Sequence, residues 1–261
     1  KWVVSQDNPL TARAFVNRTW KLFFGYGLSR RLDDLGGQGE PPTHPKLLDH
    51  LASGFRDGKW DVKALIKTIV SSKAYRQSSL PSGTLAKDDP GNRHYARQSR
   101  FRVDAEFVRD STLSISSLLV QKIGGKSVKP YQPAGYWQHL NFPARKWQAG
   151  KGDELYRRSL YTFVCRSFPH PAMVAFDAPS REECAAERPR SNIPQQALVR
   201  LNDPVFVEAA KALAERLLKE REATDAKRLE KIFSLVLTRK PTKQEQTILL
   251  ELLAEQRERY K

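Results

Sequence analysis

The spacing of apolar residues along the chain predicts α-helices. Near the start, apolar side chains fall at positions i, i+4, i+7 and i+8, which places them on one stripe of a helix: Val16, Trp20, Phe23 and Phe24. The clearest stripe of this kind consists of Val62, Leu65, Ile66, Ile69 and Val70. Similar periods return after residue 192, and the sequence contains no internal repeat. An all-α fold is therefore predicted.

Residues that favour helix ends agree with these periods. Side chains that commonly cap a helix precede the stripes, namely Asn8, Thr43, Asp61 and Asp203. Two pairs at the spacing of a capping box are Asn192 with Gln195 and Thr242 with Glu245. Gly25 is expected to end the first helix. Agreement between caps and apolar periods supports the helical prediction.

Two stretches depart from the helical pattern. Residues 124–153 form a long irregular segment whose aromatic residues are Tyr131, Tyr136, Trp137, Phe142 and Trp147. Residues 158–165, "RSLYTFVC", alternate partly with a period of two, which is typical of a strand. We therefore expect a multi-helix assembly with one long irregular aromatic-rich insertion and at most a minor β element.

The 261 residues are enough for one large domain or two small ones. We expect a single helical domain over 1–261 that is a fragment of a longer multidomain protein. Its possible subdivision is into N-terminal helices at 1–123, an irregular polar and aromatic segment at 124–191, and C-terminal helices at 192–261. No apolar run approaches the length of about 18 residues that a membrane span needs, so none is predicted in this segment.

The chain is strongly basic, with 45 Lys and Arg against 29 Asp and Glu, a net charge of +16. Such an excess attracts polyanions. Two segments are dense in arginine, "RTWKLFFGYGLSRR" at 18–31 and "RHYARQSRFR" at 93–102, but basic residues occur in every predicted helix as well. The charge therefore indicates either a polyanion-binding surface or a solvated surface without a specific partner.

Six sequence blocks occur in an order that resembles a known family. They are "NPLTARAFVNRTWKLFFGYGL", "GEPPTHPKLLDHLASGF", "LIKTIVSSKAYRQSS", "YRRSLYTF", "FDAPSREEC" and "SNIPQQALVRLNDPVFVEAAKALAER". The chain resembles the uncharacterised planctomycete-specific domain of large, exported, cytochrome-c-type proteins. The resemblance implies an extracytoplasmic setting, periplasmic or at the cell surface, and haem c only elsewhere in a longer protein. It supplies no catalytic residues.

The stretch 176–203 is the first candidate for chemistry. Its functional interpretation assigns Asp177 or Glu182 as acid or base, Arg181 and Arg190 as clamps for an anionic group, and Cys184 as a polarised thiol. Its structural interpretation is a polar network that ties the loop to helix ends. The members of that network are Cys184, Asn192, Gln195, Asn202 and Asp203.

A helix predicted from about Val103 to Val120 is the second candidate, because Arg102, Glu106 and Arg109 lie near one face of it. If that face points inward, Glu106 becomes a catalytic candidate and the two arginines substrate-binding candidates. Otherwise the residues form a surface ladder of ion pairs.

Trp137 and Trp147 of the aromatic segment are the third candidate, and basic residues flank them in the sequence: Lys126, Lys129, Arg145 and Lys146. Such a cluster would either stack sugar rings or bases or plug the core beneath a long loop.

Five scattered histidines and two cysteines, Cys165 and Cys184, match no metal or haem motif, so no metal or cofactor is predicted in this segment. Two function classes stay open. The first is an accessory or scaffold module that binds an acidic polysaccharide, another polyanion or a companion domain of the same polypeptide. The second is an enzyme that acts on a carbohydrate, with sulfated polysaccharide as one substrate class. Nucleic-acid binding is a third possibility, which is less favoured because only the high pI of about 9.9 supports it.

Overall fold

The computed structural model describes residues 1–81, 83–139, 146–220 and 224–260. Over these ranges the secondary structure is helical and contains no strand, which confirms the all-α prediction. The helices are α1 (Leu10–Phe24), α2 (Pro45–Asp57), α3 (Val62–Ser71), α4 (Leu85–Asp88), α5 (Ala105–Ile115), α6 (Pro171–Ala175), α7 (Pro194–Asn202), α8 (Pro204–Leu218), α9 (Asp225–Leu237) and α10 (Lys243–Arg259). Short 3₁₀ turns occur at Trp2–Val4, Tyr136–His139, Gly152–Tyr156 and Ser159–Tyr161.

The chain divides into two compact units. The first comprises Lys1–Arg102 with Cys184–Arg188, and the second comprises Val103–Glu183 with Pro189–Lys261. No helix in the described part of the chain is both long enough and apolar enough to cross a bilayer.

The core of the first unit lies where α1 packs on α2 and α3. Val16 and Phe24 of α1 are fully buried, and Ile69 of α3 is almost so. The rings of Trp20 and Phe24 stack with centroids 4.2 Å apart. Each such side chain contributes roughly 1.5–3 kcal/mol on burial, so the predicted stripes are the faces that hold this unit together.

The three caps predicted in the first unit differ in outcome: Asp61 is the N-cap of α3, whereas Pro9 rather than Asn8 is the N-cap of α1, although the Asn8 side chain still accepts first-turn amides. Asp61 accepts a hydrogen bond from the amide of Ala64 at 3.0 Å, and the Asn8 Oδ1 accepts one from the amide of Leu10 at 2.9 Å. The Thr43 prediction was wrong, because His44 occupies the cap position of α2. The Thr43 hydroxyl instead donates to the carbonyl of Leu28 at 3.3 Å.

The second unit packs α5 against α6 and α8 around Ala105, Met173 and Phe176. The N-terminal cap of α8 is Asp203, as predicted, and Thr242 with Glu245 forms a complete capping box on α10. Helix α5 ends at Ile115 rather than near Val120. The chain turns there because Ser117 adopts a left-handed conformation, with φ of 66°.

The predicted capping box of Asn192 with Gln195 does not form. The N-cap of α7 is Ile193, which is extended, with φ of −116° and ψ of 149°. Pro194 follows it, and a residue that precedes proline is driven out of the helical region. Proline at the first helical position therefore sets the start of α7 one residue after the position that the pattern indicated.

The segment 158–165 does not form the strand that its alternation indicated. Ser159–Tyr161 make a 3₁₀ turn instead. Nearby pairing is limited to two isolated bridges, Val120 with Arg157 and Val128 with Thr162. These bridges are too far apart to make a ladder, so the β element is smaller than one strand.

Candidate anion-binding site

A cleft of about 360 Å³ in the first unit is lined by three arginines, Arg30, Arg97 and Arg100. The remaining described residues of its lining include Tyr26 and carry no carboxylate. Tyr26 and Arg30 come from the arginine-dense segment at 18–31, and Arg97 and Arg100 come from the one at 93–102. The fold thus brings these two arginine-containing segments to one concave surface.

The end of α1 directs the first of these segments into the cleft. Gly25 ends the helix with φ of 80°, a conformation that favours glycine. A Cβ atom at this position would lie 2.7 Å from Cδ1 of Phe101, so Gly25 also permits close contact with the second segment. Tyr26 follows with 48% of its surface exposed, and the Arg30 guanidinium lies 4.7 Å from the centre of its ring. The pair forms an aromatic and cationic wall.

Arg30 and Arg100 contact neutral oxygen atoms. The Arg30 Nη2 donates to the carbonyl of Gly91 at 2.8 Å, and the Arg100 Nε donates to the Ser79 hydroxyl at 3.5 Å. A guanidinium has five N–H donors, so both side chains retain donors beyond these contacts. Arg100 is exposed and Arg30 half-buried. Both can therefore present charged donors to a ligand in the cleft.

Arg97 fixes the loop that forms the other wall. Its guanidinium donates to the carbonyls of Leu85 at 3.1 Å, Asp89 at 2.8 Å and Pro90 at 3.0 Å. Asn92 adopts a left-handed conformation and donates to the carbonyl of Arg97 at 2.7 Å. The loop is therefore held by polar contacts in addition to the packing of the Tyr95 ring on Trp20 and Phe24.

Asp89 is the carboxylate of this loop. It accepts hydrogen bonds from the backbone amides of Arg93 at 2.8 Å and His94 at 2.9 Å. Burial alone would raise the pKa of Asp89, but the amide hydrogen bonds from His94 and Arg93 outweigh it and lower the pKa below the ordinary value. The carboxylate is thus ionised and organises the loop. By sequence count, the first unit carries 19 Lys and Arg against 10 Asp and Glu, so its net charge is +9.

The structure places the residues of the stretch 176–203 in different surroundings. Asp177 accepts hydrogen bonds from the Ser191 amide at 2.7 Å and from the Ser191 hydroxyl at 2.8 Å. Both Asp177, with φ of 60°, and Arg181, with φ of 65°, adopt left-handed conformations. Glu182 and Arg190 are exposed. The Asp177 carboxylate therefore closes a loop in the second unit.

The structural-network candidates also differ among themselves. Asp203 accepts the Val205 amide at 2.9 Å, and Asn202 donates to the carbonyl of Leu198 at 3.0 Å. Asn192 and Gln195 are exposed. Cys184 is an exposed free thiol, and the other cysteine, Cys165, is free and half-buried. The described residues contain no group of three or more His, Cys, Asp or Glu side chains that could hold a metal ion.

Arg109 lies inside the second unit with 5% of its surface exposed. It donates to the carbonyls of Arg157 at 2.8 Å and Leu155 at 2.5 Å, and burial lowers its pKa. It therefore anchors the segment that follows the irregular region. Glu106, one turn away, lines a small cavity together with Arg181, whereas Arg102 belongs to the first unit.

The two tryptophans of the aromatic segment stack on each other, with centroids 5.3 Å apart and planes inclined by 23°. Trp137 is 6% exposed, and the Trp147 Nε1 donates to the carbonyl of Pro130 at 2.9 Å. The two stacked tryptophans therefore fill the space beneath the loop rather than form an exposed binding surface. Phe142 and Arg145, which the sequence placed in the same cluster, lie outside the described residues.

A family model described as "PSD1: Protein of unknown function (DUF1553)" matches residues 1–253. The chain belongs to the PSD1 family. The match confirms that its sequence blocks mark an uncharacterised domain family. Searches of curated proteins and of solved structures returned no match.

Sequence reasoning did not name the residues that line the cleft of this PSD1 chain. The signal was present as arginine density in two segments, one of them with Tyr26 between two glycines. What the sequence did not reveal is that the segments meet, since Arg30 and Gly91 are 61 positions apart. A count of charges over the whole chain gave the size of the excess of basic residues but not its location.

Proposed function

We propose that this PSD1 domain is an accessory module that binds an acidic polysaccharide in the cleft formed by Arg30, Arg97 and Arg100. The observation that carries the proposal is a concave lining with three guanidinium groups and no carboxylate among its described residues. Guanidinium groups match sulfate and carboxylate oxygens through paired N–H donors. The volume of about 360 Å³ falls in the range of small-molecule sites, which fits a short stretch of a polymer.

The chemistry of the lining favours binding over catalysis. Hydrolysis of a glycosidic bond ordinarily needs two carboxyl groups that face each other across the substrate. The polar side chains around the arginines are instead amides and hydroxyls, contributed by Ser79, Asn92, Gln98 and Ser99. These groups can hold sugar hydroxyls but are not suited to proton transfer at neutral pH. The accessory role is therefore favoured over a carbohydrate-active enzyme at this cleft.

The single aromatic wall favours a sugar over a nucleic acid. Tyr26 presents one exposed ring beside Arg30, and an aromatic face of this kind can pack against the apolar face of a pyranose. Proteins that bind single-stranded nucleic acid usually place successive aromatic rings along a basic groove.

We further propose that the domain works outside the cytoplasm, in a longer protein whose companion domain carries haem c.

Retention on heparin and affinity for chondroitin sulfate test the proposal, with neutral dextran as the ligand control. Arg100→Gln should weaken both interactions by roughly tenfold or more, because hydrogen bonds to charged groups are worth about 1.5–3 kcal/mol. Arg31→Gln is the matched control, since it removes the same charge next to Arg30 from a side chain that pairs with Asp33 at the surface. Equal losses in the two variants would reject the cleft and leave only a diffuse electrostatic attraction.

A further inference from the structure

A short stretch of backbone that lines the arginine cleft holds two of its three guanidinium groups. The Arg97 Nη2 donates to the carbonyl of Asp89 at 2.8 Å and to that of Pro90 at 3.0 Å. The Arg30 Nη2 donates to the carbonyl of the next residue, Gly91, at 2.8 Å. Two positively charged groups therefore contact three consecutive carbonyls of one turn.

These contacts satisfy hydrogen bonds without supplying a carboxylate partner to either guanidinium. The Asp89 carboxylate belongs to the same stretch, but the hydrogen bonds described for it come from the backbone amides of Arg93 at 2.8 Å and His94 at 2.9 Å. Two like charges that are held at one turn repel each other, and a bound anion relieves that repulsion. The turn therefore favours an anion that both arginines can contact.

The geometry of Arg97 bears on which anion fits. Its Nη1 donates to the carbonyl of Leu85 at 3.1 Å, and its Nη2 donates to two further carbonyls, so the terminal edge of the guanidinium faces the backbone. A carboxylate binds arginine best when two parallel N–H groups of one guanidinium donate to its two oxygens. Arg97 has committed that pair to carbonyls. What it retains for a ligand are single donors.

Two serine hydroxyls add donors from other directions. The Ser79 Oγ accepts a hydrogen bond from the Arg100 Nε at 3.5 Å, and the Ser99 Oγ accepts one from the Asn92 Nδ2 at 3.2 Å. Because each oxygen is an acceptor in these bonds, its own hydrogen can donate to a ligand. The lining thus offers single donors from several side chains. The three terminal oxygens of a sulfate ester point in different directions and can accept such donors, whereas the two oxygens of a carboxylate lie in one plane.

We infer that the cleft selects sulfate esters over carboxylates, so that its ligand is a sulfated polysaccharide. The inference rests on the function proposed above, because it names the anionic group that the same arginines bind. The sulfate accepts donors from Arg30 and Arg97 at the turn, and the ring of Tyr26 beside Arg30 packs against the sugar that carries it. A sulfate ester and a carboxylate each carry one charge at pH 7, so the selection comes from geometry rather than from net charge.

Titration of the whole chain with three dextrans of equal length tests the inference: dextran sulfate, carboxymethyl dextran with the same number of charged groups, and neutral dextran. At pH 7 and one fixed salt concentration, dextran sulfate should bind at least about tenfold more tightly than carboxymethyl dextran, since an added hydrogen bond to a charged group is worth about that much. Glucose 6-sulfate should displace the bound polymer at a lower concentration than glucuronate, which carries its single charge at the same position of the ring.

The variant Arg30→Lys separates hydrogen-bond geometry from charge. Lysine keeps the positive charge but replaces the planar group by a point charge. The preference for dextran sulfate should therefore fall by at least about threefold, roughly the value of one hydrogen bond. Arg31→Lys is the matched control, since it makes the same change one residue away in a side chain that pairs with Asp33, and it should leave the preference unchanged. If Arg30→Lys fails to fold, the polymer comparison on the parent chain and the variant Arg100→Lys, with the same expected fall, still decide.

A preference for dextran sulfate that the cleft variants reduce and Arg31→Lys does not supports the inference. Equal affinity for the two charged dextrans would overturn it, and so would a preference that Arg30→Lys leaves unchanged or that Arg31→Lys reduces equally. In those cases the proposed binding of acidic polysaccharides still stands. Absence of binding to both charged dextrans is a different result, because it would reject the proposed function together with the inference.

Discussion

Asn17 is the residue on which the position of the arginine cleft depends most directly. It lies in the middle of α1 with 1% of its surface exposed. Its Nδ2 donates to the carbonyl of Ser29 at 2.8 Å, and its Oδ1 accepts the Ser29 amide at 3.0 Å. The Asn17 side chain thus pairs with the backbone amide and carbonyl of Ser29, the residue before Arg30, as a neighbouring strand would. Asn17→Leu keeps the size of the side chain and removes both hydrogen bonds.

The expected loss in the free energy of unfolding is about 3–5 kcal/mol. The two bonds contribute about 0.5–1.5 kcal/mol each, and each buried group of Ser29 left without a partner costs about 1–3 kcal/mol more, in part overlapping with the first term. A domain is stable by only about 5–15 kcal/mol, so the change is large but still allows folding at low temperature. Urea unfolding followed by circular dichroism measures it, with a lower midpoint at constant slope as the expected form.

Asn202→Leu is the matched control, because the exposed Asn202 makes one hydrogen bond, to Leu198. It should change the free energy of unfolding by at most about 0.5 kcal/mol. Under conditions where Asn17→Leu is folded, it should also weaken heparin retention, since Ser29 no longer fixes Arg30. A loss below about 1 kcal/mol for Asn17→Leu, with retention unchanged, would refute the argument that this amide positions the cleft.

Three further predictions follow from buried groups. Burial lowers the pKa of folded His170 to about 4, below its ordinary value of 6.5. The contribution of His170 to the free energy of unfolding is therefore largest above about pH 6.5 and falls as the pH drops toward 4, by about 3 kcal/mol at most. In urea titrations at several pH values, His170→Gln should reduce this pH dependence. Gly25→Ala should lower the free energy of unfolding by about 1–3 kcal/mol, because its left-handed φ and the Phe101 ring both oppose a Cβ, whereas Gly54→Ala, on α2 with open space around the added atom, should be neutral or stabilising. Arg109→Met should cost about 2–6 kcal/mol, because the carbonyls of Leu155 and Arg157 lose their donor and each buried acceptor left unsatisfied costs about 1–3 kcal/mol. A melting temperature equal to that of the parent would contradict the anchoring role.

Local features of the fold were predictable where one physical cause dominated. Asp61 caps α3 because a carboxylate precedes a clear apolar period, and both signals lie within a few residues. The capping box at Asn192 was wrong because Pro194 imposes an extended residue before the helix. The strand predicted from the alternation in 158–165 does not form, because no continuous partner strand pairs with this segment among the described residues. In each failure a constraint from a neighbouring residue or a distant segment overrode the local pattern.

The candidate sites were less predictable because their contacts join distant parts of the chain. Arg109 lies on the predicted helix, but its burial depends on carbonyls about 46–48 positions later. The sequence therefore indicated which helix face Arg109 occupies, but not that Arg109 anchors a distant segment. Asp177 and Ser191 are 14 positions apart across a loop with two left-handed residues, which no periodicity encodes.

Ion pairs are distributed unevenly over the first unit, and a count of residues cannot show this. Basic residues beside the cleft in the sequence are paired with carboxylates: Arg31 with Asp33 and Arg93 with Glu40. Arg97 lies within the electrostatic reach of Asp89, whose own charge is held by backbone amides. Arg30 and Arg100 contact only neutral oxygens among their described hydrogen bonds. Because paired charges largely cancel at a distance, Arg30 and Arg100 contribute more to the field in the cleft than the paired Arg31 and Arg93 do. Added salt should therefore weaken heparin binding steeply in the parent chain and less steeply in Arg100→Gln, since the variant neutralises fewer anionic groups.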